Sequence, residues 1–202
     1  MPLVENAWTV LLLWAVLGYL IGSIPFGVVV ARVMGLGDLR AIGSGNIGAT
    51  NVLRMGSKPA AAATLVLDGA KGAVVLLLAR VIAGEDTAQL AALGAMTGHC
   101  FPIWLRFKGG KGVATFLGIL LALAWPVGLA SCAAWLITAK ISRMSSMAGL
   151  LASSASSVLM ILLGYPEGYV LTLALTAIVF LRHRENIVRI RAGIEPKIGE
   201  KK

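Results

Sequence analysis

Residues 7–31 read AWTVLLLWAVLGYLIGSIPFGVVVA, a stretch that contains no Asp, Glu, Lys or Arg. Long apolar runs of this kind are typical of membrane-spanning helices, because roughly 20 helical residues are needed to cross the hydrocarbon of a bilayer. A second apolar block extends from Leu150 to Leu163. The sequence therefore predicts an all-α integral membrane protein that crosses the bilayer several times.

The composition of the whole chain agrees with this prediction. Of 202 residues, 58% are hydrophobic and 13% are charged, whereas a soluble domain carries about 25% charged residues. The length suits a single domain over residues 1–202, and no shift in composition marks a second one. Glu5 stands where a signal peptide has basic residues, so residues 8–31 are expected to be a permanent span.

The chain is strongly basic, with a formal net charge of +9. In a soluble protein this charge would suggest nucleic acid as a partner. Here the basic residues lie between apolar blocks, where membrane topology and anionic ligands explain them better. Cys100 and Cys132 lie in apolar stretches and are expected to be small buried side chains. We therefore predict no nucleic-acid partner, no disulfide framework, no metal site and no cofactor.

Hydropathy predicts seven spans, at residues 8–31, 59–82, 88–105, 113–124, 127–139, 147–163 and 167–181. The fourth and fifth are short, and they could instead form one helix from Val113 to Ala139. A hairpin that turns at Trp125-Pro126 leaves every Lys and Arg except Lys71 and Arg80 on one side of the membrane. The positive-inside rule favours that arrangement. We therefore predict about seven transmembrane helices, with the N-terminus in the periplasm and the C-terminus in the cytoplasm.

The first loop on the predicted inner side contains the sequence GSGNIGATN at residues 43–51, followed by Arg54. Its glycines let the backbone approach a ligand closely and leave amide N–H groups free to bind it. The arginine guanidinium is a planar fork of donors that suits phosphate. A merely flexible polar loop would have a similar composition. The candidate ligand-binding residues of this loop are Ser44, Gly45, Asn46, Gly48, Asn51 and Arg54.

The second inner loop ends in the sequence FKGGKGVAT at residues 107–115, directly before the predicted fourth span. The N-terminus of a helix favours anions because its first amide N–H groups are unpaired and the helix dipole is positive there. Both loops are short, re-entrant-like segments that combine glycines with cations. We predict two related sites for phosphate-bearing ligands. The candidate residues of the second loop are Lys108, Gly109, Gly110, Lys111 and Gly112.

Three titratable residues within the predicted spans are candidates for a specific role. His99, near the inner end of the third span, is a candidate general base or an orienting group for a substrate hydroxyl, although a lone histidine in an apolar helix is more often structural. Asp68 and Lys71 lie one helical turn apart in the second span, where charges are usually paired or functional. A structural ion pair is favoured for Asp68, and the role of Lys71 is left open.

The third inner loop and the C-terminal tail add further polar residues to the predicted inner side. Ser142 and Arg143 could anchor their loop at the membrane surface or bind an anion. A basic tail would attract anionic lipids, but this role does not explain Asn186. The chain contains no Gly-x-Ser-x-Gly motif, and His99 is not followed by the Asp of a His-x4-Asp pair. A covalent enzyme intermediate is therefore not expected.

Four motifs, taken in order along the chain, resemble the bacterial acyl-phosphate:glycerol-3-phosphate acyltransferase family, which is also called the PlsY family. They are GSIPFG at residues 22–27, GSGNIGATN at 43–51, GHCFP at 98–102 and FKGGKGVAT at 107–115. The tail motif HRENI at residues 183–187 is similar as well. The resemblance covers nearly the whole chain, and the serine-rich third loop is its loosest part.

This resemblance implies that a fatty acyl group is transferred from acyl-phosphate to the 1-hydroxyl of sn-glycerol 3-phosphate. The products would be lysophosphatidate and inorganic phosphate, made for phospholipid synthesis at the cytoplasmic side of the bacterial inner membrane. The implied partners are the two substrates and membrane lipids, without a cofactor or an obligate protein partner. A transporter for an organic phosphate is the alternative, because glycine-rich loops and membrane charges also occur there.

The implied chemistry gives each candidate residue an expected role. His99 would orient or deprotonate the attacking hydroxyl, unless the phosphate of the substrate serves as the base. The second loop would cradle one of the two phosphates. The expected catalytic residues are His99, Ser44, Asn46 and Arg54. The residues expected to close the glycerol 3-phosphate pocket are Ser142, Arg143 and Asn186.

Overall fold

The computed structural model describes residues 2–199, and within that range the chain is built from α-helices without a β-strand. The helices are α1 (Trp8–Gly22), α2 (Phe26–Val33), α3 (Ala49–Arg54), α4 (Lys58–Ala83), α5 (Glu85–Cys100), α6 (Val113–Leu123), α7 (Trp125–Ser142), α8 (Ser145–Leu162), α9 (Tyr169–Arg182) and α10 (Arg184–Arg191). Short 3-10 turns occur at Leu39–Ala41, Ile103–Leu105 and Pro166–Gly168. The predicted all-α class is confirmed. Lys201 and Lys202, which the charge argument assigned to the inner side, lie outside the described residues.

The predicted hairpin between the fourth and fifth spans is present. Helix α6 ends at Leu123, α7 begins at Trp125, and the two helices pack against each other. The turn lies at Ala124 rather than at Trp125-Pro126, because Pro126 occupies the first turn of α7, where its missing N–H has no helical partner to lose. Two helical stretches, Trp8–Val33 and Ser145–Leu162, are long and apolar enough to cross a membrane. The number of crossings and their orientation stay predictions.

Two predicted spans are interrupted by prolines. The first, at residues 8–31, is broken at Ser23–Pro25 into α1 and α2. Proline lacks an N–H and disfavours the helical conformation at the residue before it, so the helix stops there. The third span, predicted to reach residue 105, ends at Cys100 for the same reason, because Pro102 follows. Both breaks leave irregular backbone at one end of the helices.

Glycines allow close contact between α1 and α5. A methyl group on Gly18 or Gly22 of α1 would overlap the backbone of α5, and one on Gly94 or Gly98 of α5 would overlap the backbone of α1. Both pairs have the small-xxx-small spacing that lets helices approach closely in membranes, where burial of apolar surface does not drive association. This contact fixes the end of α5 beside the break that follows α1.

A second glycine contact, between α4 and α6, tests this packing. A Cβ on Gly118 would overlap the carbonyl oxygen of Gly69, whereas a Cβ on Gly69 would lie 3.4 Å from the carbonyl oxygen of Ala114, an ordinary contact. We expect Gly118→Ala to destabilise the protein by about 1–3 kcal/mol, as overpacked cores do. The melting temperature in detergent should fall for this variant and stay near wild type for the matched Gly69→Ala control. Equal melting temperatures for the two variants would contradict the packing.

Candidate anion-binding site

The polar loops meet at one end of the helices, where α5 and α9 end and α6 begins. Lys111 lies at this end, in the second loop, just before α6. Arg54 from the first loop, Arg182 from the end of α9, and Arg189 and Glu195 from the tail all lie near enough to perturb its charge. The structure therefore brings together the first loop, the second loop and the tail, as the motifs predicted.

Lys111 is a cation that has lost much of its contact with water. Burial lowers the pKa of its ammonium from the ordinary 10.5 to about 8. Glu195 opposes this shift, while Arg189, Arg54 and Arg182 add to it. A half-buried cation among other cations is stabilised by a bound anion, which replaces the lost solvation and offsets the repulsion. The electrostatics of this end of the protein thus favour an anionic ligand.

The second glycine loop, residues 109–112, folds back onto the end of α5. The Gly109 N–H donates to the Cys100 carbonyl at 3.2 Å, and the Gly110 N–H donates to the His99 carbonyl at 3.0 Å. Gly112 precedes α6 with a φ of +81°, in the left-handed region that favours glycine. The first amide groups of α6 have no partner within the helix, so they add donors that follow Lys111 directly in the chain.

His99 lies beneath this loop and does not face an open site. Its side chain is only 3% exposed, and Nδ1 lies 3.5 Å from Oδ1 of Asp68. A methyl group on Gly110 would overlap Nε2 of the imidazole, so only glycine fits above the ring. Of the alternatives that the sequence left open, this position favours a supporting role over proton transfer to a substrate hydroxyl.

Asp68 and Lys71 form the buried ion pair that the sequence suggested. Lys71 Nζ donates to Asp68 Oδ1 and to the carbonyl of Ile24, both at 2.8 Å. The Ile24 carbonyl lies at the break between α1 and α2, so the ammonium binds backbone that the break leaves without a helical partner. Gly72 offers no room for a ligand, because a Cβ there would lie 2.8 Å from Cγ1 of Ile119. We assign both charges to holding the helices together.

The first loop is held in shape by Asn51, which was predicted to bind substrate. Its Nδ2 donates to the carbonyls of Leu39 and Ile42, both at 3.0 Å, and its Oδ1 accepts from the Ser44 N–H at 3.3 Å. The side chain is buried, with 2% exposure. Its amide hydrogens are both engaged within the loop, so a structural role replaces the predicted one.

The side chains of Ser44, Asn46 and Arg54 remain available for a ligand, whereas the Gly45 N–H donates to the Ile42 carbonyl at 3.0 Å. Ser44 and Arg54 are exposed, and Gly48 begins the short helix α3. Gly45 has a φ of +66°, in the left-handed region that favours glycine. The Asn46 Oδ1 is buried, and no residue of the described range forms a hydrogen bond with it. A buried acceptor without a partner is costly, so a donor on a ligand would be stabilised there.

Ser142 and Arg143, predicted to close a substrate pocket, instead form the turn between α7 and α8. The Ser142 hydroxyl donates to the Thr138 carbonyl at 2.7 Å and accepts from the Met144 N–H at 3.1 Å. Arg143 has a φ of +56° and an exposed side chain, and its carbonyl accepts from the Ile198 N–H at 2.6 Å. The turn therefore binds the tail through its backbone.

The tail supplies a carboxylate that the sequence analysis missed. The Glu195 carboxylate accepts hydrogen bonds from Ser146 Oγ at 2.7 Å, Asn186 Nδ2 at 2.6 Å and Arg189 Nε at 2.8 Å. Although burial alone would raise the pKa of Glu195, these hydrogen bonds hold it below its ordinary value. Of the four residues, only Asn186 was predicted. No sequence motif marks an acidic residue in a basic tail, and one of its partners, Ser146, lies 49 positions away.

Two further observations delimit the site. Lys108 is exposed, whereas Lys111 is half-buried. In the described part of the chain, His, Cys, Asp and Glu side chains form no group of three that could hold a metal ion.

The sequence of this protein is similar to known acyltransferases over its whole length. The family model described as glycerol-3-phosphate acyltransferase matches residues 12–193. A glycerol-3-phosphate acyltransferase of Roseobacter denitrificans is 64% identical over 200 residues, which cover 99% of this chain and 100% of that relative. The family resemblance of the loop motifs is therefore confirmed by the whole sequence.

Two solved structures share the fold. Both are of PlsY (YgiH), an integral membrane glycerol 3-phosphate acyltransferase. The glycerol 3-phosphate form has a TM-score of 0.87 and 38% identity, and covers 94% of this chain and 96% of that one. The lysophosphatidic acid form has a TM-score of 0.85 and 35% identity, and covers 94% and 95%. The chain thus belongs to the glycerol-3-phosphate acyltransferase family.

Proposed function

We propose that the protein transfers a fatty acyl group from acyl-phosphate to the 1-hydroxyl of sn-glycerol 3-phosphate. The observation that carries this proposal is the half-buried Lys111, which stands directly before α6 with Arg54, Arg182 and Arg189 nearby. The solved relatives are described in a glycerol 3-phosphate form and a lysophosphatidic acid form. These are the acceptor and the product of such a reaction.

The proposed step needs no enzyme nucleophile. The 1-hydroxyl oxygen attacks the carbonyl carbon of acyl-phosphate, the new ester C–O bond forms, and the C–O bond to phosphate breaks. The hydroxyl proton passes to the departing phosphate, and the products are 1-acyl-glycerol 3-phosphate and inorganic phosphate. Because phosphate is already a good leaving group, positioning and charge stabilisation supply most of the catalysis.

The two loops suit the two phosphates of these substrates. Lys111, with Gly112 and the first amides of α6, would hold one phosphate. Ser44 and Arg54 would hold the other phosphate or the developing oxyanion, with Gly45 shaping the turn that carries Ser44, and Asn46 Oδ1 would accept from a substrate hydroxyl. Asn186, held by Glu195, would border the glycerol 3-phosphate pocket together with Ser146.

We propose a supporting role for His99 in place of the role of general base. Its ring lies between Asp68 and the underside of Gly110, and a general base must lie within hydrogen-bonding reach of the proton that it accepts. The N–H groups of Gly109 and Gly110 in turn donate to the carbonyls of Cys100 and His99 at the end of α5. The substrate phosphate is therefore the proposed proton acceptor.

The location of the site favours an enzyme over a transporter. The cations gather where α5 and α9 end, at one end of the helices, whereas transporters bind near the middle of the bilayer. We propose that this end faces the cytoplasm of a bacterial inner membrane, and that the acyl chain remains in the bilayer while its phosphate reaches the loops. The positive-inside rule supports this orientation.

The proposed function is tested by supplying purified protein with glycerol 3-phosphate and either palmitoyl-phosphate or palmitoyl-CoA. We expect lysophosphatidate and inorganic phosphate from palmitoyl-phosphate only, because one glycine loop is proposed to bind the phosphate of each substrate. Product from palmitoyl-CoA alone would refute the proposed donor. Product from neither donor, with an intact fold, would refute the acyltransferase and direct attention to phosphate flux in sealed liposomes.

The pKa of Lys111 predicts the pH dependence of the reaction. The ammonium is charged below its pKa of about 8 and loses its proton above it, so kcat/KM, which reports the free enzyme, should fall as the pH rises through that value. Lys111→Arg, which stays charged, should move the fall to higher pH, and Lys111→Ala should lower kcat/KM throughout. Lys140→Ala, an exposed cation at the end of α7, is the control. An unchanged pH profile in Lys111→Arg would contradict the assignment.

Arg54 provides a separate test of the first loop. We expect Arg54→Ala to lower kcat/KM by at least about 10-fold, because charge-assisted hydrogen bonds contribute roughly 1.5–3 kcal/mol, without a change in melting temperature. The exposed Arg32 at the end of α2 supplies the control variant Arg32→Ala. Near-normal turnover in Arg54→Ala would remove this residue from the site.

A further inference from the structure

Arg182, the last residue of α9, directs its donors at the backbone of the second glycine loop. Its Nε donates to the Gly110 carbonyl at 3.0 Å, and its Nη2 donates to the Gly109 carbonyl at 2.9 Å. The guanidinium also lies over the Phe101 ring, 5.2 Å from its centroid. Three contacts thus fix a side chain that would otherwise be one more cation near Lys111.

These hydrogen bonds determine how the loop presents its amides. The peptide between Gly109 and Gly110 is held at both ends, since its carbonyl binds Arg182 and its N–H binds the His99 carbonyl. In a trans peptide the carbonyl and the next N–H point in opposite directions. The Gly110 carbonyl that faces Arg182 therefore turns the Lys111 N–H away from the guanidinium.

The His99 side chain also lies against the second glycine loop. A methyl group on Gly110 would overlap the His99 ring, so the loop lies directly against the imidazole. The loop is therefore confined between a ring on one side and a guanidinium on the other. A loop confined in this way keeps one shape before a ligand binds, which lowers the free-energy cost of binding and of charge development.

We infer that Arg182 is a positioning residue for the reaction, which shapes the loop carrying Lys111 and does not itself bind substrate. The inference rests on the proposed function, because the site that it shapes is the proposed phosphate site. A planar guanidinium can reach two carbonyl oxygens at once while stacking on a ring, whereas a lysine ammonium is a single compact charge. The role therefore depends on the shape of the side chain as well as on its charge.

Replacement of Arg182 by a residue with the same charge separates shape from charge. In the proposed-function assay, we expect Arg182→Lys and Arg182→Gln both to lower kcat/KM by about 10-fold or more, since each loses charge-assisted hydrogen bonds to the loop. The pH at which activity falls should rise only in Arg182→Gln, because only that variant removes a positive charge that lowers the pKa of Lys111. The matched controls are Arg191→Lys and Arg191→Gln, at an exposed arginine of α10.

A second readout does not depend on activity. Hydrogen exchange of residues 107–115 should become faster in both Arg182 variants, because the loop has lost the hydrogen bonds from the guanidinium. It should stay unchanged in the Arg191 variants. If the Arg182 variants do not fold, Phe101→Leu keeps the donors and removes only the ring, and it should raise the exchange rate of the same segment.

The results distinguish this inference from the proposed function. The activity of the wild-type protein with acyl-phosphate tests the proposed function. The ratio of variant to wild-type kcat/KM and the hydrogen-exchange rates test the positioning role. Wild-type kinetics in Arg182→Lys, with a loss only in Arg182→Gln, would show that charge alone matters and would overturn the inference. Unchanged exchange at residues 107–115 in the Arg182 variants, or in Phe101→Leu, would overturn it as well.

Discussion

The partly desolvated ammonium of Lys111 at the start of α6 is the constraint on which the rest of the site depends. A cation in that position has lost water and lies near three arginines, so it needs either an anionic ligand or a nearby carboxylate. Glu195 partly meets this need from the tail, and the remaining positive charge is free to attract a phosphate. The repulsion between Lys111 and the three arginines would be relieved by a bound anion, which is why this cluster suits a phosphate ligand.

Around that cation, most of the polar side chains shape the backbone and leave few groups for a ligand. Asn51 closes the first loop, and Arg182 and His99 confine the second from opposite sides. Asp68 and Lys71 join α4 to the break after α1. A site in which most polar side chains hold the backbone in place suits catalysis by positioning. Groups that are fixed before the reaction need not reorganise when charge develops.

The sequence predicted the features that depend on local patterns. Apolar runs gave the helices, the charge distribution distinguished a hairpin from one long helix, and glycines beside cations marked both loops. The breaks at Pro25 and Pro102 also follow from local chemistry, and hydropathy alone missed them. Asn51 was assigned to substrate because its amide suits a ligand as well as it suits neighbouring carbonyls. Sequence does not distinguish those partners.

Partners that are distant in sequence could not be predicted. Glu195 meets Ser146 across 49 positions and Arg182 meets Gly110 across 72, and neither pair has a spacing that a motif encodes. Arg182 looked like one of many basic residues on the inner side, and only its geometry separates it from Arg191. Ser142 and Ser146 lie in the same polar stretch, and only the structure shows that Ser146 donates to the Glu195 carboxylate while Ser142 donates to the Thr138 carbonyl.

The most direct test of this account is a structure of the protein with glycerol 3-phosphate bound. We expect a phosphate group within hydrogen-bonding distance of the Lys111 ammonium or the Arg54 guanidinium, with Arg182 still bound to the carbonyls of Gly109 and Gly110. A phosphate that lies against Arg182, or on a surface remote from both glycine loops, would contradict it.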